Sequence, residues 1–89
     1  MDSLSIILPV FNEEIRLKKT LPILEKFLRL SKKNRIELIF VSDGSIDKTN
    51  RILKKFINLK KFNISLITYK NNFGKGYAVK RGVLKAKNQ

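Results

Sequence analysis

Three short apolar segments alternate with three amphipathic stretches along this chain. The apolar segments are rich in β-branched residues and predict strands near residues 4–10, 36–41 and 64–69. In the stretches that follow them, apolar residues recur every three or four positions, which predicts helices near residues 16–32, 46–58 and 75–87. The order βαβαβα indicates an α/β fold with a parallel sheet and right-handed crossovers.

The apolar stripes predict which face of each helix packs on the sheet. The stripes consist of Leu17, Leu21, Leu24 and Leu28, then Ile52, Phe56 and Leu59, then Val79, Gly82, Val83 and Ala86. Because Pro22 lacks an N–H and suits only a helix start, Thr20 is the expected cap of the first main helix after an irregular turn. Ser45 or Asp47 is the expected cap of the second helix.

The order of the strands bears on how much of a domain is present. Crossovers that advance in one direction give the sheet order 3-2-1 and leave the first strand at an open edge. That strand is apolar on both faces, as is typical of a strand inside a larger sheet. The third helix has no stop signal before Gln89. We therefore expect the amino-terminal part of a longer domain, whose exposed strand edge favours self-association.

The composition limits the catalytic and binding chemistry that the side chains can supply. The 89 residues include 20 Lys and Arg, 7 Asp and Glu, and neither Cys nor His. This excludes disulfides, a thiol nucleophile, a zinc finger and a histidine base. The net charge of +13 could serve a polyanion, but the Lys, Ile and Asn bias is also typical of an AT-rich genome. Stacking aromatics are not interleaved with the charges, so no nucleic-acid partner is expected.

Neither a membrane span nor a secretory signal is predicted. No segment approaches the roughly 18 consecutive apolar residues that a spanning helix needs, and Met1-Asp2-Ser3 lacks a basic start. A cytoplasmic location is therefore expected.

Candidate binding residues lie in the loops that follow the predicted strands. Gly74-Lys75-Gly76 opens a helix, where free N–H groups attract phosphate, although a simple connecting turn is the alternative. Neither a dinucleotide fingerprint nor a Walker A pattern is present. Asp43 can accept a hydrogen bond from a base or a ribose, whereas Ser45 is more typical of a turn or cap. Pro9 predicts the end of the first strand, which directs Phe11 into the crevice.

Three ordered motifs together resemble one family. They are Leu8-Pro9-Val10-Phe11-Asn12-Glu13-Glu14, Val41-Ser42-Asp43-Gly44-Ser45-Ile46-Asp47-Lys48-Thr49 and Asn71-Asn72-Phe73-Gly74-Lys75-Gly76-Tyr77-Ala78-Val79-Lys80-Arg81-Gly82. From Leu4 onward the chain is similar to the nucleotide-sugar-binding half of family 2 glycosyltransferases, especially those that act on dolichyl or polyprenyl phosphate.

This resemblance implies a Rossmann-like glycosyltransferase A fold, with residues 1–89 as its amino-terminal nucleotide-sugar-binding part. It implies that Pro9, Val10 and Phe11 contact the base and ribose, with Glu13 beside the nucleotide. It implies that Asp43 reads the base, with Gly44 and Ser45 beside it. It assigns the diphosphate to Gly74, Lys75 and Arg81. Asn12-Glu13-Glu14 could instead serve only the helix start, because carboxylates favour that end of a helix.

The resemblance also implies a reaction. A sugar would pass from a nucleotide sugar, UDP-glucose before GDP-mannose, to a lipid phosphate or another acceptor at the cytoplasmic face of a membrane. Mg²⁺ or Mn²⁺ would be held by an Asp-x-Asp cluster after a fourth strand, which the sequence does not reach. We therefore expect no catalytic residue, no bound metal and no transfer activity in this chain alone. The alternatives are a non-catalytic basic module that binds nucleotides or polyanions, and a decayed reading frame.

Overall fold

The structure, a computed structural model, describes residues 3–31, 35–59 and 62–87. Its elements are β1 (Ser3–Val10), α1 (Glu14–Leu30), β2 (Arg35–Asp43), α2 (Thr49–Leu59), β3 (Ile64–Tyr69) and α3 (Lys75–Lys87). All three strands are parallel, in the order β1-β2-β3, which is the predicted order read from the other edge. The α/β class and the βαβαβα succession are thus confirmed.

The central strand β2 carries the core on both of its faces. Leu38 and Phe40 pack with residues of α1 and α2, whereas Ile39 and Val41 pack with Ala78 of α3. Two covered faces explain why this segment reads as a continuous apolar run rather than an alternating one. The buried residues before it therefore fix the position of Asp43, the last residue of the strand.

The first helix is longer at its start than the sequence predicts. It begins at Glu14 and contains Pro22, so the irregular turn and the Thr20 cap were wrong. Pro22 is exposed, and its missing N–H removes the helical hydrogen bond to the Lys18 carbonyl, a local defect that packing of the opposite face overrides. The predicted stripe is right for the buried residues Leu17, Leu21 and Leu28. Residue 32 lies outside the described residues.

The other two helices differ slightly from the prediction, α2 in its first residue and α3 in the residues that it buries. Helix α2 begins at Thr49 rather than 46 and buries Leu53 and Phe56, while Ile52 is only half-buried. The side chain of Leu59, the third residue of the predicted stripe, lies outside the described part of the structure.

In α3 the predicted Val79 and Val83 are the exposed flanks, and Ala78 is buried instead. A Cβ atom at Gly82 would collide with the side chain of Ile7, so glycine at this position allows α3 to pack closely on β1.

Strand β1 lies at an edge of the described sheet. It ends at Val10, as the predicted range 4–10 has it, whereas the expectation that Pro9 ends the strand was wrong. An edge strand tolerates proline because it lacks a neighbour on one side. The expectation about Gln89 lies outside the described residues. Within the described ranges, no helix is long and apolar enough to cross a membrane.

Candidate functional site

The loops after β1 and β3 meet the end of β2 at a cavity of about 290 Å³. The residues that line it are Pro9, Val10, Phe11, Glu13, Asp43, Asn72, Gly74 and Lys75. Parallel strands bring their carboxyl ends to one edge of a sheet, so residues far apart in sequence converge there. All of these residues except Asn72 are among the predicted binding residues. The structure therefore brings Phe11, Asp43 and Lys75 to one place.

Asp43 ties the end of β2 to the loop that precedes α3. One carboxylate oxygen accepts a hydrogen bond from the Phe73 N–H at 2.9 Å, and the other accepts one from the Gly74 N–H at 2.8 Å. The Asn72 side-chain amide donates to the Asp43 carbonyl oxygen at 3.1 Å. Asp43 is only 3% exposed, so this carboxylate is a structural anchor as well as a cavity wall.

The two amide contacts and the neighbouring Tyr69 hydroxyl favour the ionised form of Asp43. Burial by itself would raise the pKa of Asp43, but the Phe73 N–H, the Tyr69 hydroxyl and the Gly74 N–H together hold that pKa below its ordinary value. Each carboxylate oxygen can accept more than one hydrogen bond. A ligand N–H or hydroxyl at the cavity can therefore still bind Asp43, whereas a phosphate there would be repelled.

The start of α3, unlike Asp43, offers groups that bind anions. The Ala78 N–H donates to the Gly74 carbonyl at 3.1 Å, which closes the first turn of this helix. The N–H groups of the first turn have no acceptor within the helix and favour anions. Lys75, which is exposed, adds a positive charge at the same point. The cavity thus offers an acceptor at Asp43 and anion-binding groups at Lys75.

Asn12 joins the loops after β1 and β2. Its N–H donates to Oγ of Ser45 at 3.1 Å, and its side-chain oxygen accepts from the Ile46 N–H at 2.9 Å. The backbone of Asn12 has a φ of 48°, a left-handed conformation that Asn tolerates better than most residues. The predicted cap Ser45 is therefore engaged by Asn12 and by the Ser42 hydroxyl, at 2.8 Å, rather than by α2.

Further hydrogen bonds extend this connection to the first turns of both helices. The Glu13 N–H donates to the Thr49 hydroxyl at 2.8 Å, and the Glu14 N–H donates to Asp47 at 3.4 Å. The Lys48 N–H donates to the Glu14 carboxylate at 3.4 Å. We call these hydrogen bonds between residues 12–14 and 45–49 the loop bridge.

Asp47 is the residue that serves the start of α2. One of its oxygens accepts the Thr49 N–H at 2.9 Å and also the Thr49 hydroxyl. Burial would raise the pKa of Asp47, but the Thr49 hydroxyl and N–H and the Glu14 N–H lower it overall. Of the two predicted caps, Asp47 is the one whose side chain binds an N–H group at the start of α2.

Three predicted binding residues do not line the cavity: Arg81, Gly44 and Ser45. Arg81 lies over the rings of Tyr69 and Tyr77, 5.3 and 5.8 Å from their centroids, and donates to the Tyr77 hydroxyl at 3.0 Å. Gly44 has a φ of 72°, and a Cβ atom there would lie 2.5 Å from the Asn72 nitrogen. Its position in the structure is therefore dictated by close packing against the loop after β3.

Sequence reasoning missed Asn12, Thr49 and Asn72. Each is a short polar residue in or next to a loop, and its partner lies about 30 or more positions away in the chain. Asn in a loop does signal a tolerance for left-handed backbone, but nothing in the local pattern identifies its distant partner.

The carboxylates of the described residues do not form a metal site. Among residues 3–31, 35–59 and 62–87 no group of three or more His, Cys, Asp or Glu could hold an ion. The oxygens of Asp43 and Asp47 already accept backbone or hydroxyl hydrogens. The divalent ion implied by the resemblance does not fit the residues described here.

Comparison with known proteins decides the family. Residues 5–89 match the model of the family described as glycosyl transferase family 2. The chain belongs to glycosyl transferase family 2. The resemblance stated from the three loop motifs is confirmed, and the three-stranded parallel sheet agrees with the amino-terminal part of the Rossmann-like fold of this family.

Several curated relatives are also similar to this glycosyltransferase chain. A dolichyl-phosphate beta-glucosyltransferase of Dictyostelium discoideum is 42% identical over 86 residues, which cover 91% of this chain and 26% of the relative. The enzyme of the same name from Saccharomyces cerevisiae is 34% identical, with 91% and 25% covered. A dodecaprenyl-phosphate galacturonate synthase of Rhizobium johnstonii is 32% identical, with 90% and 23% covered. The chain thus spans about a quarter of the length of these relatives.

Proposed function

We propose that this chain is the nucleotide-sugar-binding part of a glycosyltransferase that transfers a sugar to a polyprenyl phosphate. The observation that carries the proposal is the cavity that joins the Asp43 carboxylate to Lys75 and the start of α3. A nucleoside diphosphate has hydrogen-bond donors at one end and negative charge at the other, so it is complementary to this arrangement.

The proposed ligand contacts follow from this polarity. Asp43 accepts a hydrogen from the base or ribose, and Phe11, which is 46% exposed, supplies an apolar surface at the mouth of the cavity, beside Pro9 and Val10. Lys75 and the N–H groups of the first turn of α3 receive the diphosphate.

Three other predicted residues have different positions in this proposal. Glu13 lines the cavity beside the nucleotide, while Ser45 and Gly44 support the loops from outside it. Arg81 stays a proposed contact of the diphosphate, although in the structure its guanidinium donates to the Tyr77 hydroxyl.

The proposed donor is UDP-glucose, with GDP-mannose as the second choice. The names of the relatives from Dictyostelium discoideum and Saccharomyces cerevisiae specify glucosyl transfer to dolichyl phosphate, which supports glucose and a lipid-phosphate acceptor. We further propose that the transfer takes place at the cytoplasmic face of a membrane.

We propose that residues 1–89 form the amino-terminal part of the transferase domain and transfer no sugar alone. Mg²⁺ or Mn²⁺ would be held by an Asp-x-Asp cluster outside these residues, since the carboxylates described here are engaged in hydrogen bonds. The chain by itself then retains nucleotide binding without catalysis.

Calorimetric titration with UDP-glucose, GDP-mannose, UDP and inorganic pyrophosphate tests the proposal. We expect a preference for one nucleotide base, which Asp43→Asn weakens, and a general loss of diphosphate affinity in Lys75→Ala. Lys54→Ala removes the same charge from an exposed position on α2 and is the matched control. Affinity that ignores the base and falls steeply with salt would support the basic polyanion-binding module instead, which the net charge of +13 makes the second candidate.

A further inference from the structure

The side of α1 that faces away from the sheet carries large apolar residues. At about 3.6 residues per turn, these residues lie opposite the three leucines that the helix buries. The outer face of α1 consists of six exposed residues, Ile15, Lys19, Ile23, Lys26, Phe27 and Leu30. Ile15, Ile23 and Leu30 are 77%, 68% and 77% exposed, so water surrounds most of each side chain. Apolar residues that cluster on a surface in this way mark a site of interaction.

The charged residues that α1 exposes are all basic. Lys19 and Lys26 lie among the apolar residues of the outer face, and the other exposed charges of the helix are also Lys or Arg. The two carboxylates of α1, Glu14 and Glu25, are half-buried instead. A helix face that is both apolar and basic is typical of helices that lie in the headgroup region of a membrane.

Charge decides which surface suits the outer face of α1. A second copy of the chain carries the same net charge of +13, so two copies repel each other. A nucleic acid would bind the lysines through its phosphates, but it would leave Ile23 and Leu30 in water. An anionic bilayer suits both kinds of residue, because acyl chains cover the apolar groups while the long lysine side chains reach the lipid phosphates.

We propose that the outer face of α1 is a docking surface for an anionic lipid bilayer. Ile15, Ile23 and Leu30 enter the boundary between headgroups and acyl chains, and Lys19 and Lys26 contact the lipid phosphates. Helix α1 then lies parallel to the membrane plane. The inference goes beyond the nucleotide cavity, because it uses residues of α1 alone and assigns a surface of the chain to the membrane at which transfer is proposed.

A fluorescent reporter tests which surface enters the bilayer. The chain contains no Trp, so one introduced Trp reports on a single position. Phe27→Trp places it on the outer face of α1, and Leu84→Trp places it at a similarly exposed position of α3, on the other side of the sheet. With phosphatidylcholine vesicles that contain about a quarter phosphatidylglycerol, we expect a blue shift and quenching by brominated lipid for Phe27→Trp only. An equal response of Leu84→Trp would overturn the inference.

Matched lysine pairs separate this surface from the general attraction of a basic chain. Lys19→Gln/Lys26→Gln removes two charges from α1, and Lys54→Gln/Lys55→Gln removes two exposed charges from α2. Since each basic residue near an anionic surface contributes about fivefold to binding, we expect the first pair to lower the vesicle partition coefficient about tenfold or more. The second pair is expected to lower it by less than about threefold, because its charges stay away from the lipid. Equal losses would show diffuse attraction and overturn the inference.

An apolar substitution tests the second half of the surface. Ile23→Ser is expected to weaken vesicle binding about tenfold, whereas Ile46→Ser, at an 88% exposed position outside α1, is expected to leave it unchanged. The urea midpoint and UDP affinity of both variants are expected to stay at the values of the unsubstituted chain. Absence of vesicle binding, or an unchanged partition coefficient in Ile23→Ser, would overturn the inference. If the chain binds vesicles but no UDP, the proposed function fails and the docking surface stands.

Discussion

Two loop attachments at the carboxyl edge of the sheet are built in different ways. The loop bridge joins the loops after β1 and β2 through five hydrogen bonds spread over residues 12–14 and 45–49. The loop after β3 receives both of its carboxylate contacts from the single residue Asp43. The first attachment is distributed, and the hydrogen bonds of the second all converge on one residue, Asp43.

Only at the second attachment does one side chain both hold a loop and line the cavity, because Glu13 joins the loop bridge through its backbone N–H. Asp43 both holds the amides near Gly74 and lines the cavity, so a substitution there changes the ligand contacts and the loop together. In the loop bridge, each residue satisfies one or two of several bonds, and the rest remain when one is lost. We therefore expect single substitutions to have larger effects at Asp43 than in the loop bridge.

The largest effect is expected from Asp43→Ala. It leaves the N–H groups of Phe73 and Gly74 without their acceptor, at a cost of about 2–4 kcal/mol in the free energy of unfolding. Urea denaturation followed by circular dichroism measures this cost. Asp43→Asn, which keeps one acceptor oxygen, is expected to lose less. A cost below that of Thr49→Val would show that the loop after β3 has other anchors.

A substitution next to Asp43 is expected to be nearly as severe. Gly44→Ala combines a left-handed backbone with a Cβ atom 2.5 Å from the Asn72 nitrogen, so the two segments have to move apart. We expect a loss of about 2–3 kcal/mol in the free energy of unfolding. Gly76→Ala is the control, because a Cβ atom there meets nothing within 4 Å. Equal losses of stability in Gly44→Ala and Gly76→Ala would show that close packing at Gly44 is not the cause.

Thr49→Val tests the distributed attachment. Thr49 is fully buried, and its hydroxyl accepts the Glu13 N–H and donates to Asp47. The isosteric change is expected to lower the free energy of unfolding by about 1–2 kcal/mol, because the other hydrogen bonds of the loop bridge persist. If the NMR signals of Asn12 and Ser45 shift as well, the whole loop bridge is lost together. Both attachments would then depend on a single residue, contrary to the expectation.

Acid is expected to weaken both attachments. The pKa values of Asp43 and Asp47 are lower in the folded state than in the unfolded chain. Their contribution to stability is therefore present above the unfolded value of about 4 and is lost as the pH falls through the lower folded values. Urea midpoints measured between pH 6 and 2 are expected to decline below about pH 4. In the double variant Asp43→Asn/Asp47→Asn, a urea midpoint that does not change with pH would identify these carboxylates as the source of the decline.

The smallest effect on stability is expected from Lys75→Ala. Lys75 is exposed, and an exposed substitution of this kind changes the free energy of unfolding by less than about 0.5 kcal/mol. Affinity for UDP is nevertheless expected to fall. A variant that loses stability as well as affinity would show that Lys75 supports the loop after β3 alongside Asp43.

The fold was predictable because its signals are local. The apolar run of β2 and the leucines of α1 specify burial without knowledge of the distant contacts. Pro22 misled the prediction because packing of Leu21 and Leu28 outweighs one lost helical hydrogen bond. Val79 and Val83 were misplaced because the approach of α3 is decided by Gly82 against Ile7, a contact between distant segments.

The site was predictable in its residues but not in its connections. Loops at the ends of parallel strands converge by topology, which brought Phe11, Asp43 and Lys75 together. That Asp43 binds the amides of the loop after β3, and that Arg81 lies on aromatic rings instead, depends on side-chain geometry which periodicity does not encode.

The most direct test of the nucleotide site is an NMR titration of the ¹⁵N-labelled chain with UDP-glucose. We predict saturable shifts of the amide signals of Phe11, Gly74 and Lys75, with the middle of α1 unaffected. Pyrophosphate is expected to move only the signals near Lys75, because it lacks the base and ribose that Asp43 would bind. Equal responses to both ligands, spread over the basic surface, would contradict a nucleotide site at the carboxyl edge of the sheet.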